Sequence, residues 1–246
     1  MKTNKSQILF GLSLVLLSAI FYFIHYAVFR DAHHIFIYLV GDVAFVFIEV
    51  LLVTLIIHQL LSHREKRALL KKMNMAIGAF FSEVGTGLLK IFSDFNLHSA
   101  KIDKVFIVDD DWTDQKFLSV SKTFNNYDHE IDCNKGDLNN LLNFLKSKRN
   151  FLINLLQNPN LLEHESFTNL LWAVFHLTEE LESRADVGNL SDTDCEHIAG
   201  DIKRAYVLLI SEWLLYMKHL RNDYPYLFSL AIRTNPFDPY ASPEVK

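Results

Sequence analysis

The chain has 246 residues, with 24 Lys and Arg against 29 Asp and Glu and a formal net charge of -5. That balance gives no general electrostatic attraction to nucleic acid, which is excluded as an expected partner. Half of the residues are hydrophobic, and only 8 Gly and 5 Pro suit a helical chain better than an all-β or disordered one.

Apolar character is concentrated in the first quarter. After the polar start MKTNKSQ, Ile8 to Phe29 is 22 residues without a formal charge, where about 20 are needed to cross the hydrocarbon of a bilayer. The run is longer than the core of a signal peptide and no small-x-small cleavage site follows it, so an uncleaved anchor is expected. Arg30 to His34 (RDAHH) forms a very short turn, and a second apolar stretch, Ile35 to Leu61, begins at once. So short a link predicts two antiparallel neighbouring spans.

Basic residues set the expected orientation. Lys2 and Lys5 precede the first span, and Arg64, Lys66, Arg67, Lys71 and Lys72 follow the second. The intervening turn offers only Arg30, balanced by Asp31. The positive-inside rule then places both termini in the cytoplasm of a bacterial or archaeal-type plasma membrane, with the basic run touching anionic headgroups.

Two acids, Asp42 and Glu49, lie inside the second apolar stretch. Seven residues is about two helical turns, so they share nearly one face, and a lipid-facing acid is expensive. The first span offers only a few polar contacts, among them Tyr22 and His25, and no Lys or Arg to neutralise either acid. Three readings stay open: the acids line a conduit for cations or protons between copies, they join helices as protonated or hydrogen-bonded groups, or they pair with a partner protein's helix. All three require association with further helices.

From His58 onward a helical apolar pattern continues through Leu69, Met73, Ile77, Phe80, Val84, Leu88 and Phe92, predicting that the second span runs on as one long helix. Gly78, Ser82 and Gly85 form a stripe of small residues, read as a surface for close helix packing. Residues 97 to 112 are the least helical, with Lys104 to Val108 a candidate extended segment. Asp109, Asp110 and Asp111 are read as helix capping rather than as an ion site.

Further helices are predicted at Thr113 to Asn125, Asp137 to Gln157, Leu161 to Arg184 and Ser191 to Asn222, with a short one from Pro225. Ser191 and Asp194 resemble a capping box. His176 and Glu180 are four apart, as are His197 and Asp201, so two antiparallel helices would each offer a His and an acid. Such pairs arise often by chance and are read as surface pairs or core histidines, with no cofactor expected. Cys133 and Cys195 have no metal spacing and are expected as reduced thiols.

The expectation is thus an all-α chain in four parts: a two-span transmembrane hairpin (1–61), a basic and amphipathic juxtamembrane helix (62–96), a cytosolic antiparallel helical bundle (97–233) and a flexible tail (234–246). The expected function is an oligomeric, non-enzymatic membrane protein that conducts cations or protons along its acidic second helix. The alternative is a membrane-anchored scaffold or signalling adaptor whose bundle binds a cytosolic protein.

Overall fold

A computed structural model describes residues 5–99, 104–125, 129–161 and 164–245. Helices are the only regular elements among the described residues, with a single isolated β-bridge between Asn96 and Ile131 and no strand. In chain order the helices are α1 (Lys5–Phe29), α2 (Ala32–Phe80), a π-turn (Phe81–Gly85), α3 (Thr86–Phe95), α4 (Asp114–Asn125), α5 (Leu138–Leu156), α6 (Glu165–Glu182), α7 (Asp192–Asp223) and α8 (Pro225–Arg233). They fall into two units, 1–66 and 67–246, and α2 runs through the boundary. Lys2 and the side chain of Arg67 lie outside the described residues.

In the first unit, the RDAHH turn is built by local chemistry. Arg30 takes the left-handed conformation (φ 53°) and its N–H donates to the Tyr26 carbonyl at 2.9 Å, closing α1. The Asp31 carboxylate accepts from the His34 N–H at 3.1 Å and caps α2. The two helices make no extensive contact with each other. From Ile8 to Leu61, only His25 and Ile35 are even partly covered, and every other side chain is exposed. The Ser13 hydroxyl donates to the Phe10 carbonyl of its own helix at 2.7 Å.

The second unit has a dense core. The pattern read from sequence is buried as expected: Met73, Ile77, Phe80, Val84, Leu88 and Phe92 all lie inside. From Met73 to Phe92 the segment expected as a juxtamembrane helix contributes core residues to the C-terminal unit. The π-turn adds a residue to the helical register, which lets Phe81 and Leu89 join the buried face. The Thr86 hydroxyl and N–H both donate to the Phe81 carbonyl, satisfying a group the widened turn leaves over.

Helix α7 is the hub, packing against α3, the π-turn, α4, α6 and α8, while α5 covers α6. The ends of these helices match their sequence signals. Asp137 accepts from the Asn140 N–H, Ser191 accepts from the Asp194 N–H, and Pro225 opens α8. Helix α4 is capped by Thr113, which accepts from the Lys116 N–H at 3.3 Å; Asp109 instead accepts from the Asp111 N–H in a tight turn.

The capping expected of Asp109 to Asp111 thus falls to Thr113, and three further expectations are corrected. Lys104 and Val105 are helical rather than extended. At the start of the segment expected as a flexible tail, Asn235 and Phe237 are buried: Asn235 donates to the Phe106 carbonyl at 2.8 Å, and the Phe237 ring meets Phe106 and Trp213. Cys133 and Cys195, expected as thiols, form a disulfide with Cα atoms 5.7 Å apart. The 129–137 loop folds back along the end of α3, through Leu97 N–H to the Glu130 carbonyl and Asp132 N–H to the Phe95 carbonyl, and this delivers Cys133 to the first turn of α7.

Gly136 sits where an added Cβ would meet the Phe95 ring at 2.6 Å, so Gly136→Ala is expected to destabilise the unit by about 1–3 kcal/mol in chemical denaturation. The disulfide spans 62 residues of sequence, and Cys133→Ser with Cys195→Ser is expected to cost about 2–5 kcal/mol. Thiol labelling of the unfolded, unreduced chain should find no free thiol; two would show the bridge to be absent.

Candidate functional site

Asp42 and Glu49 stand on α2 at exposed positions, with no hydrogen bond or ion pair among the described residues. Tyr22 is exposed and His25 is half-buried, its ring 4.9 Å from Phe29 on its own helix. Because α1 and α2 do not pack together, neither is brought to the acids. Arg64, Lys66, Lys71 and Lys72 are exposed.

The small-residue stripe is dispersed. A Cβ on Gly78 would meet the Tyr216 hydroxyl of α7 at 3.6 Å and its ring at 3.7 Å, Ser82 is exposed, and Gly85 faces its own neighbours Phe80 and Phe81. Gly78 and Ser82 instead border a groove of about 630 Å³ between the end of α2, α7 and α8. Its walls are mainly apolar, from Phe81, Met217, Leu220, Leu227 and Leu230, with Asn74, Tyr216 and His219 as polar points. No sequence signal marks this groove, since its walls come from two stretches far apart in the chain, 74–86 and 213–236.

The two His-and-acid pairs do come together. Helices α6 and α7 run in opposite directions, so 176 faces 201, 180 faces 197 and 184 faces 194. His176 Nε2 lies 3.8 Å from Glu180 Oε1 and 3.5 Å from Asp201 Oδ2, and His197 Nε2 lies 3.6 Å from Glu180 Oε2 and 3.5 Å from Asp201 Oδ2. Among the described residues no group of three or more His, Cys, Asp or Glu side chains is placed to hold a metal ion. Arg184, which sequence reading passed over, grips Asp194 through two bonds of 2.8 and 2.6 Å and Glu180 at 2.9 Å. Hydrogen bonding to Arg184 holds the carboxyls of Glu180 and Asp194 below their ordinary values, and Asp194 keeps Arg184 charged.

Glu212 was also missed. It is 3% exposed at an inward position of α7, between Leu209 and Trp213. Burial pushes its carboxyl up, against a Ser166 hydrogen bond and the nearby His164 ring, which pull the other way. His164 itself caps α6, its Nδ1 accepting from the Phe167 N–H at 3.2 Å, and the Ser166 hydroxyl lies 3.2 Å from the same nitrogen. An acid in an apolar register was the available signal, the same one that marks Asp42 and Glu49.

Compared with known protein families, residues 2–61 match the model of the N-terminal helical domain of MJ1433, and residues 69–233 match that of the C-terminal helical domain of uncharacterized protein MJ1433. The chain is 44% identical over 238 residues to uncharacterized protein MJ1433 of Methanocaldococcus jannaschii, covering 97% of this chain and 96% of that one. No solved structure matches.

Glu212 carries a test of the buried network. A carboxyl raised in the folded state binds its proton before the unfolded chain does as pH falls. Its charge therefore costs stability at high pH, and that cost is relieved as pH drops toward the ordinary carboxylate range. Glu212→Gln is expected to raise the thermal midpoint at pH 8 by roughly 2–4 °C, with the difference shrinking toward pH 5. A midpoint lowered equally at both values would contradict the assignment.

Proposed function

The chain belongs to the MJ1433 family, and from that premise, which supplies two helical domains and no activity, we propose an integral membrane protein that assembles with copies of itself through α2. The reading rests on the uncovered apolar surface from Ile8 to Leu61 and the two unpartnered acids within it. Water is a poor neighbour for that surface, since each Å² of apolar area left wet forgoes about 25 cal/mol. Lipid suits the apolar side chains and not Asp42 and Glu49. Assembly that turns the acids toward other helices, with lipid on the remaining faces, meets both requirements.

In the assembled protein the two acids form the polar lining of a path for cations or protons, with Tyr22 and His25 of α1 as further polar contacts. The basic side chains from Arg64 to Lys72 meet anionic headgroups, with both termini in the cytoplasm. A disulfide on that side is unusual. Cys133 and Cys195 are both buried, which screens the bridge from soluble reductants. The C-terminal helices act as the organising domain of the subunit and not as an enzyme.

The groove between α2, α7 and α8 favours a second reading, a membrane-anchored scaffold or adaptor whose helical bundle receives apolar side chains of a cytosolic partner. An unrelated two-span anchor in place of residues 1–61 would preserve that function and abolish conduction.

Purified protein in mild detergent is expected to behave as an oligomer and to give cation or proton currents in planar bilayers. Asp42→Asn and Glu49→Gln should weaken assembly or lower conductance severalfold. A monomer, or variants unchanged in both respects, would defeat the channel reading.

A further inference from the structure

The apolar groove between the end of α2, α7 and α8 has polar points that are not shared evenly around it. Asn74, Tyr216 and His219 line the groove and also wall a small cavity of about 50 Å³, whose further lining includes His164 and Glu212. The buried carboxyl of Glu212 therefore stands one layer of side chains behind the groove. A space of this size holds a few water molecules at most, and its polar walls can bond them.

No basic side chain answers that carboxyl from the groove. Among the described residues lining the two spaces there is no Lys or Arg. The two imidazoles are already committed. His219 Nδ1 lies 2.7 Å from the Asp223 carboxylate, so any charge the ring takes up is matched on the spot. His164 accepts the Phe167 N–H at Nδ1, which keeps that nitrogen free of a proton. The Ser166 hydroxyl gives Glu212 a hydrogen bond and no charge. A carboxylate held this far from water is costly without a counter-charge. Aromatic rings stand on the groove side: Phe81, Trp213 and Tyr216 all line it, with Phe81 and Tyr216 stacked at 4.9 Å. The faces of such rings attract organic cations.

We propose that this groove binds a small organic ammonium, with its apolar body against Met217, Leu227 and Leu230 and its charged amine at Asn74, Tyr216 and His219, in the field of Glu212. Each part of the ligand follows from a wall. The groove, at about 630 Å³ and mainly apolar, suits the body of a small molecule. At the polar points the Asn74 amide oxygen and the Tyr216 hydroxyl oxygen accept from the amine, and water in the small cavity carries the contact on to Glu212. An anionic head would meet Glu212 as a like charge, and a neutral head would leave that carboxyl unanswered. This ligand competes for the groove with the protein partner of the adaptor reading and is independent of the channel reading.

The test is calorimetric titration of the full chain in mild detergent, with empty micelles as the blank. Three probes share one apolar body and differ in the head: phenylbutylamine, phenylbutanol and phenylbutyrate. One amine per chain is expected, bound at least about fivefold more tightly than the alcohol, with the carboxylate weakest. Glu212→Gln should lower the amine to the alcohol's affinity and leave the alcohol unchanged. Ser82→Trp, which fills the groove from an exposed position, should remove saturable binding of all three. Helical circular dichroism checks that the variants fold, and should either misfold, the order of the three probes on the wild-type chain decides. The site is overturned by an amine bound no better than the alcohol or the carboxylate, or by no saturable binding above the micelle blank. An amine preference that survives in folded Glu212→Gln, or undiminished binding in folded Ser82→Trp, overturns it equally.

Discussion

The C-terminal unit depends on burying α7 from several sides at once. A helix packed along one face can carry its charges on the other, but α7 touches α3, the π-turn, α4, α6 and α8, which leaves little of it for solvent. Its two buried acids, Asp201 and Glu212, are the cost of that position. Each is answered from α6 or its entry: Asp201 by the imidazole of His176, with Arg204 and His197 of its own helix, and Glu212 by Ser166 beside His164. The polar chemistry of the unit is therefore gathered along one helix pair, and the fold holds those groups at the same register that packs its apolar side chains.

The N-terminal unit presents the opposite problem. Its apolar residues have no interior to enter, and α1 and α2 do not supply one for each other. Helix α2 belongs to both regimes. Before the basic run its side chains are exposed whatever their polarity. After it, burial recurs at the helical period from Met73 onward. The two matched family domains, 2–61 and 69–233, meet within a few residues of this change.

What was legible in the sequence is what a helix determines locally. The run from Met73 to Phe92, the helix start at Asp137, the cap at Ser191 and the start at Pro225 each depend on residues within a turn or two. The misses needed partners from far along the chain. Nothing near Cys133 names Cys195, nothing near Phe237 names Phe106, and an imidazole serving as the cap of α6 has no common signature. The His and acid pairs were half legible. Their spacing gave each helix face, while the meeting of the two faces depends on the register that the 183–191 turn imposes. Antiparallel neighbours were inferred from the short link between α1 and α2, and a short link fixes only that the chain reverses, not that the faces touch.

The buried stretch at Asn235 to Phe237 has a practical consequence for handling the protein. Phe237 closes the ring cluster of Phe106 and Trp213, while Tyr240, three residues on, is 88% exposed. Fusion partners attached after Tyr240 emerge into solvent and leave that cluster shut. Trimming back to the end of α8 would strip a wall from the aromatic core and release Asn235 from the Phe106 carbonyl, so a boundary drawn where the last helix stops would cut into the folded body.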